Sequence, residues 1–235
     1  MANSVLFVLT SHADLGDTGQ KTGTWLEELA AAYFVLVDAD YDVELASVQG
    51  GEAPLDPASL DDPWLTDAGR RFQADAKASV ALAATTRIAD VSPDDFAAIY
   101  FVGGAGAAWD FPVDADVRRL AEGIDRAGGV VSAVCHGVLG LTTAQTRDGQ
   151  PLVAGRDVTA VSNKEEELTT FDKVVPVLPE SRLVELGGLY GCAAEPFGAY
   201  VAVDGNLVTG QNPASAPFVA QVVAEQLGAR VKTSA

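Results

Sequence analysis

Short apolar runs alternate with longer stretches of helical character along most of this chain. Ser4–Thr10, Ala98–Val102 and Val130–Val134 are bounded by polar residues or glycine, and Tyr41–Val48 alternates in type, so each reads as a strand. Thr24–Asp38 reads as a helix, nearly apolar on all sides from Leu29 onward, which suits burial against a sheet. Trp64–Ala84 predicts one or two helices. Ser92-Pro93 is a helix-start signal, and Asp114–Ala127 is an amphipathic helix closed by Gly128-Gly129. Further on come a short strand at Val158–Val161, a capped helical turn at 162–171 and a short helix within 174–188. A hairpin follows, pairing Ala199–Val203 with Leu207–Thr209 around Asp204-Gly205-Asn206, and then a final helix at Ala214–Leu227. Strands alternating with helices call for an α/β fold with a mostly parallel sheet covered on both faces. The 235 residues read as one domain, 1–235, with a small cap insertion expected at about 55–91, a stretch longer than one crossover requires.

In such sheets ligands bind at the carboxyl ends of the strands. The strand Val130–Val134 runs straight into Cys135-His136-Gly137 and then the apolar run Val138–Leu141, which can begin a helix. A nucleophilic residue on a sharp strand-to-helix turn is a nucleophile elbow. The helix that starts there aims its amide N–H groups at the sulfur, which favours thiolate. The competing reading is a buried structural cysteine; the adjacent His and Gly and the place at a strand end favour the elbow. Gly103-Gly104-Ala105-Gly106 also lies at a strand end, where glycines expose N–H groups and allow close approach, but it lacks the full dinucleotide fingerprint. Glu27 and Glu28 sit in the first turns of the helix at Thr24–Asp38. Acids there are ordinarily dipole partners, and periodicity does not say which of the two faces a site.

Composition narrows the chemistry. A net charge of −18 argues against nucleic acid and anionic membranes as partners. No apolar run approaches the ~20 residues of a membrane helix, and the N-terminus lacks the basic start of a signal peptide, so a cytoplasmic location is expected. Two cysteines make no disulfide framework, and Cys192 reads as a small apolar filler. The only histidines are His12 and His136, and no Cys/His spacing suits zinc. No His lies downstream of residue 136, so the Cys–His arrangement of glutamine amidotransferases cannot be built. What remains is Cys135, His136 and carboxylates from elsewhere. That set suits attack of a thiolate on an aldehyde while an acid moves protons between carbons, with N–H groups near Gly104 and His136 holding the oxyanion.

Four stretches in order, TGTWLEEL, SVQGGEAPLDP, AVCHG and DGNLVTGQNPAS, resemble the DJ-1/PfpI superfamily, and within it the heat-shock chaperone/glutathione-independent glyoxalase branch. The resemblance spans residues 4 to about 227. It implies a flavodoxin-like three-layer sandwich of the class I glutamine amidotransferase-like type, a homodimer, and no metal or organic cofactor. It implies Cys135 as nucleophile with His136 beside it, and Glu28 as the acid that hydrogen-bonds the thiol. Glu166 is implied as the acid that orients His136, with Glu165 and Glu167 flanking it and the choice among the three open. Gly104 and Ala105 match the oxyanion loop, although many relatives carry His where this chain has Ala105. Trp25 and Trp109 are expected to wall the pocket, or else to be core aromatics. The implied activity is glyoxalase III-like: a small carbonyl substrate, a 2-oxoaldehyde such as methylglyoxal, becomes a 2-hydroxy acid. The competing functions are a non-catalytic stress protein (a holding chaperone or thiol oxidation sensor) and another cysteine-elbow hydrolase or hydratase, such as an amidase, deglycase or isonitrile hydratase.

Overall fold

The structure, a computed structural model, describes residues 3–234, with side chains through Gly228. Its strands are β1 (Ser4–Leu9), β2 (Asp42–Ser47), β3 (Thr86–Arg87), β4 (Ala98–Phe101), β5 (Val130–Val134), β6 (Asp157–Val158), β7 (Leu189–Tyr190), β8 (Val201–Asp204) and β9 (Leu207–Gly210). The α-helices are α1 (Leu26–Val37), α2 (Asp67–Ala74), α3 (Ala76–Ala83), α4 (Ala107–Asp110), α5 (Ala115–Arg126), α6 (Asn163–Thr169), α7 (Pro179–Glu185) and α8 (Ala216–Ser234).

Seven strands form one sheet in the order β3-β2-β1-β4-β5-β9-β8. Every pairing is parallel except the β8–β9 hairpin. The central strands are apolar on both faces, as a doubly covered parallel sheet requires. Val5, Phe7 and Leu9 of β1 and Ala98 and Tyr100 of β4 face a core shared with α1, α2, α3 and α8. Leu6, Val8, Ile99 and Phe101 face the opposite core, built on α5 and the turn after β5. The result is a flavodoxin-like three-layer α/β sandwich. The uniform apolarity of α1 follows from its place, because it is covered by the sheet on one side and by α2 and α8 on others. The chain crosses to opposite sides of β1 to form β2 and β4, so the switch point of the sheet lies at the carboxyl ends of β1 and β4.

Several elements depart from the sequence pattern. No α-helix follows β5: Cys135–Leu141 is a 3₁₀ helix that begins at the cysteine itself. The strand expected at Val158–Val161 shortens to β6, which pairs with β7 in a separate small sheet. Ser92-Pro93 starts only one 3₁₀ turn, Pro93–Asp95, because the chain must re-enter the sheet at Ala98. Trp64–Ala84 holds two helices, broken where the Asp75 side chain accepts from the Lys77 and Ala78 amides and starts the second. Cys192 is not core filler; it is exposed. Among the described residues no helix is long and apolar enough to cross a membrane.

The α5 helix carries the cleanest local start. The Asp114 carboxylate accepts from the amides of Asp116 (2.8 Å) and Val117 (3.0 Å). Asp114→Ala leaves these donors unpaired and is expected to destabilise the protein by about 1 kcal/mol, read as a lower midpoint in urea unfolding.

Candidate active site

Cys135 stands at the carboxyl end of β5 with φ +55, the left-handed region that side chains with a Cβ rarely adopt. The turn is held because β5 is paired on both sides, with β4 and β9, and the 3₁₀ turn packs back on the sheet. The Cys135 Sγ lies 3.5 Å from His136 Nδ1. The other ring nitrogen, Nε2, is 2.7 Å from Glu166 Oε1, with both side chains buried. Of the three consecutive acids on α6, the structure turns Glu166 to the histidine. Glu165 is also buried but faces the other way, accepting from the amides of Ser162 and Phe197 and from the side chains of Ser162, Gln211 and Asn212. Glu167 is exposed and pairs with Lys164. Ser162 and Glu165 form a capping box, a Ser-x-x-Glu signal present in the sequence that would have assigned Glu165 to the helix start.

Glu28 comes from the first turn of α1 and is fully buried. That helix has no side-chain cap of its own; the Leu26 amide instead donates to Ser59 Oγ at 3.1 Å. The preceding loop is clamped from the 54–56 segment. The Thr24 amide donates to the Pro54 carbonyl, and the Thr22 hydroxyl donates to the buried Asp56 carboxylate at 2.8 Å. The Trp25 amide then donates to the Gly103 carbonyl at 3.1 Å, which ties the start of α1 to the end of β4. Gly103 must lack a side chain, because a Cβ there would fall on Glu28 Oε2. Gly104 has φ +108, and a Cβ there would strike the Gly23 carbonyl and the Trp25 amide. Glu27, by contrast, turns away and accepts from the Thr66 hydroxyl.

Burial pushes the Glu28 carboxyl up to about 8, against smaller lowering contributions from Cys135, His136 and the Gly103 amide. Neither of its oxygens closes a hydrogen bond of ordinary geometry among the described residues. Burial, followed by the charges of Glu28 and Glu166, also pushes the Cys135 thiol up. This reverses the expectation that a helix start beneath the sulfur would favour thiolate: the turn is a short 3₁₀ helix, and desolvation with two neighbouring carboxylates outweighs it. Burial alone would lower His136, but the charge and contact of Glu166, then Glu28 and Asp56, outweigh it and raise the imidazole. Both groups are therefore held toward their protonated forms, and a proton on Glu28 removes the nearest repulsion on the sulfur.

These groups floor a cavity of about 160 Å³. Gly104 and Ala105 line it, as do Trp25, Trp64, Val161, Phe171, Phe197 and the 212–214 segment. Among the described residues neither the Gly104 nor the Ala105 amide donates to another group of the chain. Trp109 does not wall this cavity. It stacks on His12, ring centroids 4.8 Å apart and 8° from parallel, and borders separate surface hollows. His12 is thereby also held outside the cavity. Sequence reasoning missed Trp64, Phe171, Phe197 and Asn212: Trp64 and Phe197 lie on loops with no motif of their own, Phe171 opens a 3₁₀ turn, and Asn212 sits in the DGNLVTGQNPAS stretch, from which no role for it was read. Among the described residues no cluster of three or more His, Cys, Asp or Glu side chains is placed to hold a metal ion.

The raised Glu28 has a consequence for stability. Its ordinary value is 4.5 and its folded value about 8, so across that interval the folded protein holds a proton that the unfolded chain has released. Its contribution is favourable below the lower value and is lost as pH rises toward the upper one. Glu28→Gln should therefore gain stability relative to wild type between pH 5 and 8, by up to about 1.4 kcal/mol per pH unit, measured by urea unfolding across that range.

Residues 22–226 match the model of the DJ-1/PfpI family. The chain is similar to the glutathione-independent glyoxalase HSP31 of Saccharomyces cerevisiae, 30% identical over 222 residues, covering 90% of this chain and 92% of that one. It is similar to glyoxalase 3 of Candida albicans, 29% identical over 227 residues, covering 93% and 96%. The crystal structure of glyoxalase III from Candida albicans superposes with a TM-score of 0.88 at 28% identity, covering 95% of this chain and 97% of that chain. The Rapid Encystment Protein 24 KDa of Francisella tularensis superposes with a TM-score of 0.91 at 36% identity, covering 96% and 99%. With most of its length matched in sequence and in fold, the chain belongs to the DJ-1/PfpI family.

Proposed function

We propose that the protein is an enzyme that converts a 2-oxoaldehyde of the methylglyoxal type, plus water, into a 2-hydroxy acid, without glutathione. The observation that carries this reading is Glu28: a buried carboxyl, raised to about 8, facing a cysteine on a strained elbow. The names of the relatives, glutathione-independent glyoxalase and glyoxalase 3, support it.

The reading assigns each group one task. In the form whose Glu28 is a carboxylate, Glu28 takes the Cys135 proton and the thiolate attacks the aldehyde carbon; the C=O pair moves to oxygen and Glu28 protonates it, giving a hemithioacetal. The Gly104 and Ala105 amides face the developing oxyanion. Glu28, now a carboxylate, takes the proton from the former aldehyde carbon. The electrons pass to the neighbouring ketone as an enediol, which Glu28 reprotonates at the second carbon. The first carbon has been oxidised to a thioester and the second reduced to an alcohol, so no external oxidant or reductant is needed. Water then cleaves the thioester and returns the thiol. His136, held beside the sulfur and charged through its pairing with Glu166, stabilises the thiolate and relays protons to water. The family resemblance gives this reading a homodimer and the N-terminal sequence a cytoplasmic setting, and Trp64, in the loop before α2, lines the site.

Lactate formation from methylglyoxal without glutathione tests the assignment. Cys135→Ser should abolish turnover, and retained activity would sink the reading. Glu28→Gln should lower kcat by about 10²–10⁴. In wild type kcat/KM should rise as pH rises through about 8, where Glu28 loses its proton and becomes able to accept that of Cys135.

A further inference from the structure

The mouth of the cavity carries two features that the reaction itself does not require. Trp64 and Phe197 both line the cavity, yet they are 48% and 43% exposed. Phe197 also has φ +63, a backbone region that a bulky residue enters only when its surroundings over-determine it. Here they do. The Phe197 amide donates to Glu165 Oε1 at 2.7 Å, and the Asn212 side chain donates both to that oxygen and to the Gly198 carbonyl. Glu165 itself is buried and takes its further hydrogen bonds from Ser162 and Gln211. A buried polar network thus fixes a strained aromatic residue at the rim of the site. Opposite features agree. Trp64 meets Trp25 edge to face, with centroids 5.9 Å apart. Among the described residues no lysine or arginine lines the cavity to meet an anion. At about 160 Å³ the space is close to that of an apolar cavity known to accept a benzene ring.

We infer that the site selects neutral 2-oxoaldehydes bearing an aromatic or bulky apolar substituent, with Trp64 and Phe197 as specificity-determining residues. The inference rests on the oxoaldehyde reading of Cys135. The carbonyl end reaches the sulfur at the floor and the apolar substituent occupies the mouth between the rings. For phenylglyoxal the reaction is unchanged in its balance: water is added, the aldehyde carbon is oxidised, the ketone carbon is reduced, and mandelate leaves.

The test compares kcat/KM for phenylglyoxal, 4-carboxyphenylglyoxal and methylglyoxal, with products resolved by chromatography and Cys135→Ser as the blank. Wild type should prefer phenylglyoxal to methylglyoxal by about tenfold or more, and should discriminate against the carboxylate-bearing analogue. Phe197→Gly removes the ring while keeping a residue that is at home in the left-handed region, and Trp64→Ala removes the second ring. Each should lower the phenylglyoxal-to-methylglyoxal ratio by about tenfold, mainly through KM. A wild type that prefers methylglyoxal, or a ratio unmoved in both variants, overturns the inference. If wild type turns over no aldehyde, the oxoaldehyde reading fails, and acetophenone binding, followed by tryptophan fluorescence, decides the rim separately. Binding weakened about tenfold by Phe197→Gly upholds the aromatic rim, and unchanged binding overturns it.

Discussion

The burial of one carboxyl beneath a cysteine is the constraint on which the rest of this site depends. Glu28 has no solvent and no ordinary hydrogen-bond partner at its oxygens, so its neutral form is the one the fold favours. Placing it there takes three separate loops. The Thr22–Trp25 loop is clamped by Asp56 and Pro54, the start of α1 is capped by Ser59, and the end of β4 is stripped of side chains at Gly103. At the same strand end Gly104 and Ala105, whose amides donate to no other group among the described residues, line the cavity.

The two buried glutamates of α6 divide their work by direction. Adjacent residues on a helix point about 100° apart, so Glu165 and Glu166 cannot serve the same partner. Glu166 meets His136 and sets its charge. Glu165 is saturated with donors and binds α6 to the loops at 197–198 and 211–212. A site built from an elbow, a first-helix acid and a later histidine partner is thereby joined to its own mouth through a neighbouring residue.

Two of the four described non-glycine residues with left-handed backbone border this site. They are Cys135 and Phe197, and both oxygens of the neighbouring Glu28 are buried without a well-aligned partner. Such features lower stability and persist where the surroundings fix them. The remainder of the fold rests on apolar strands, a capped amphipathic α5, and surface ion pairs that contribute little.

The sequence by itself determined the layered α/β fold, because alternation of apolar strands with helices leaves few other ways to bury both faces of a sheet. It also determined the elbow, since strand, Cys-His-Gly and apolar turn are contiguous at Val130–Leu141, and it named Glu28 and Glu166 among their neighbours through family resemblance. Only the tertiary structure decided between Glu165, Glu166 and Glu167, because rotation about the helix axis is set by what α6 packs against. It decided that Trp109 belongs with His12 and that Trp64 and Phe197 border the cavity, since loop residues carry no periodicity that reports their direction. And it decided the direction of the Cys135 shift, because desolvation and through-space charge depend on distances that no spacing along the chain encodes.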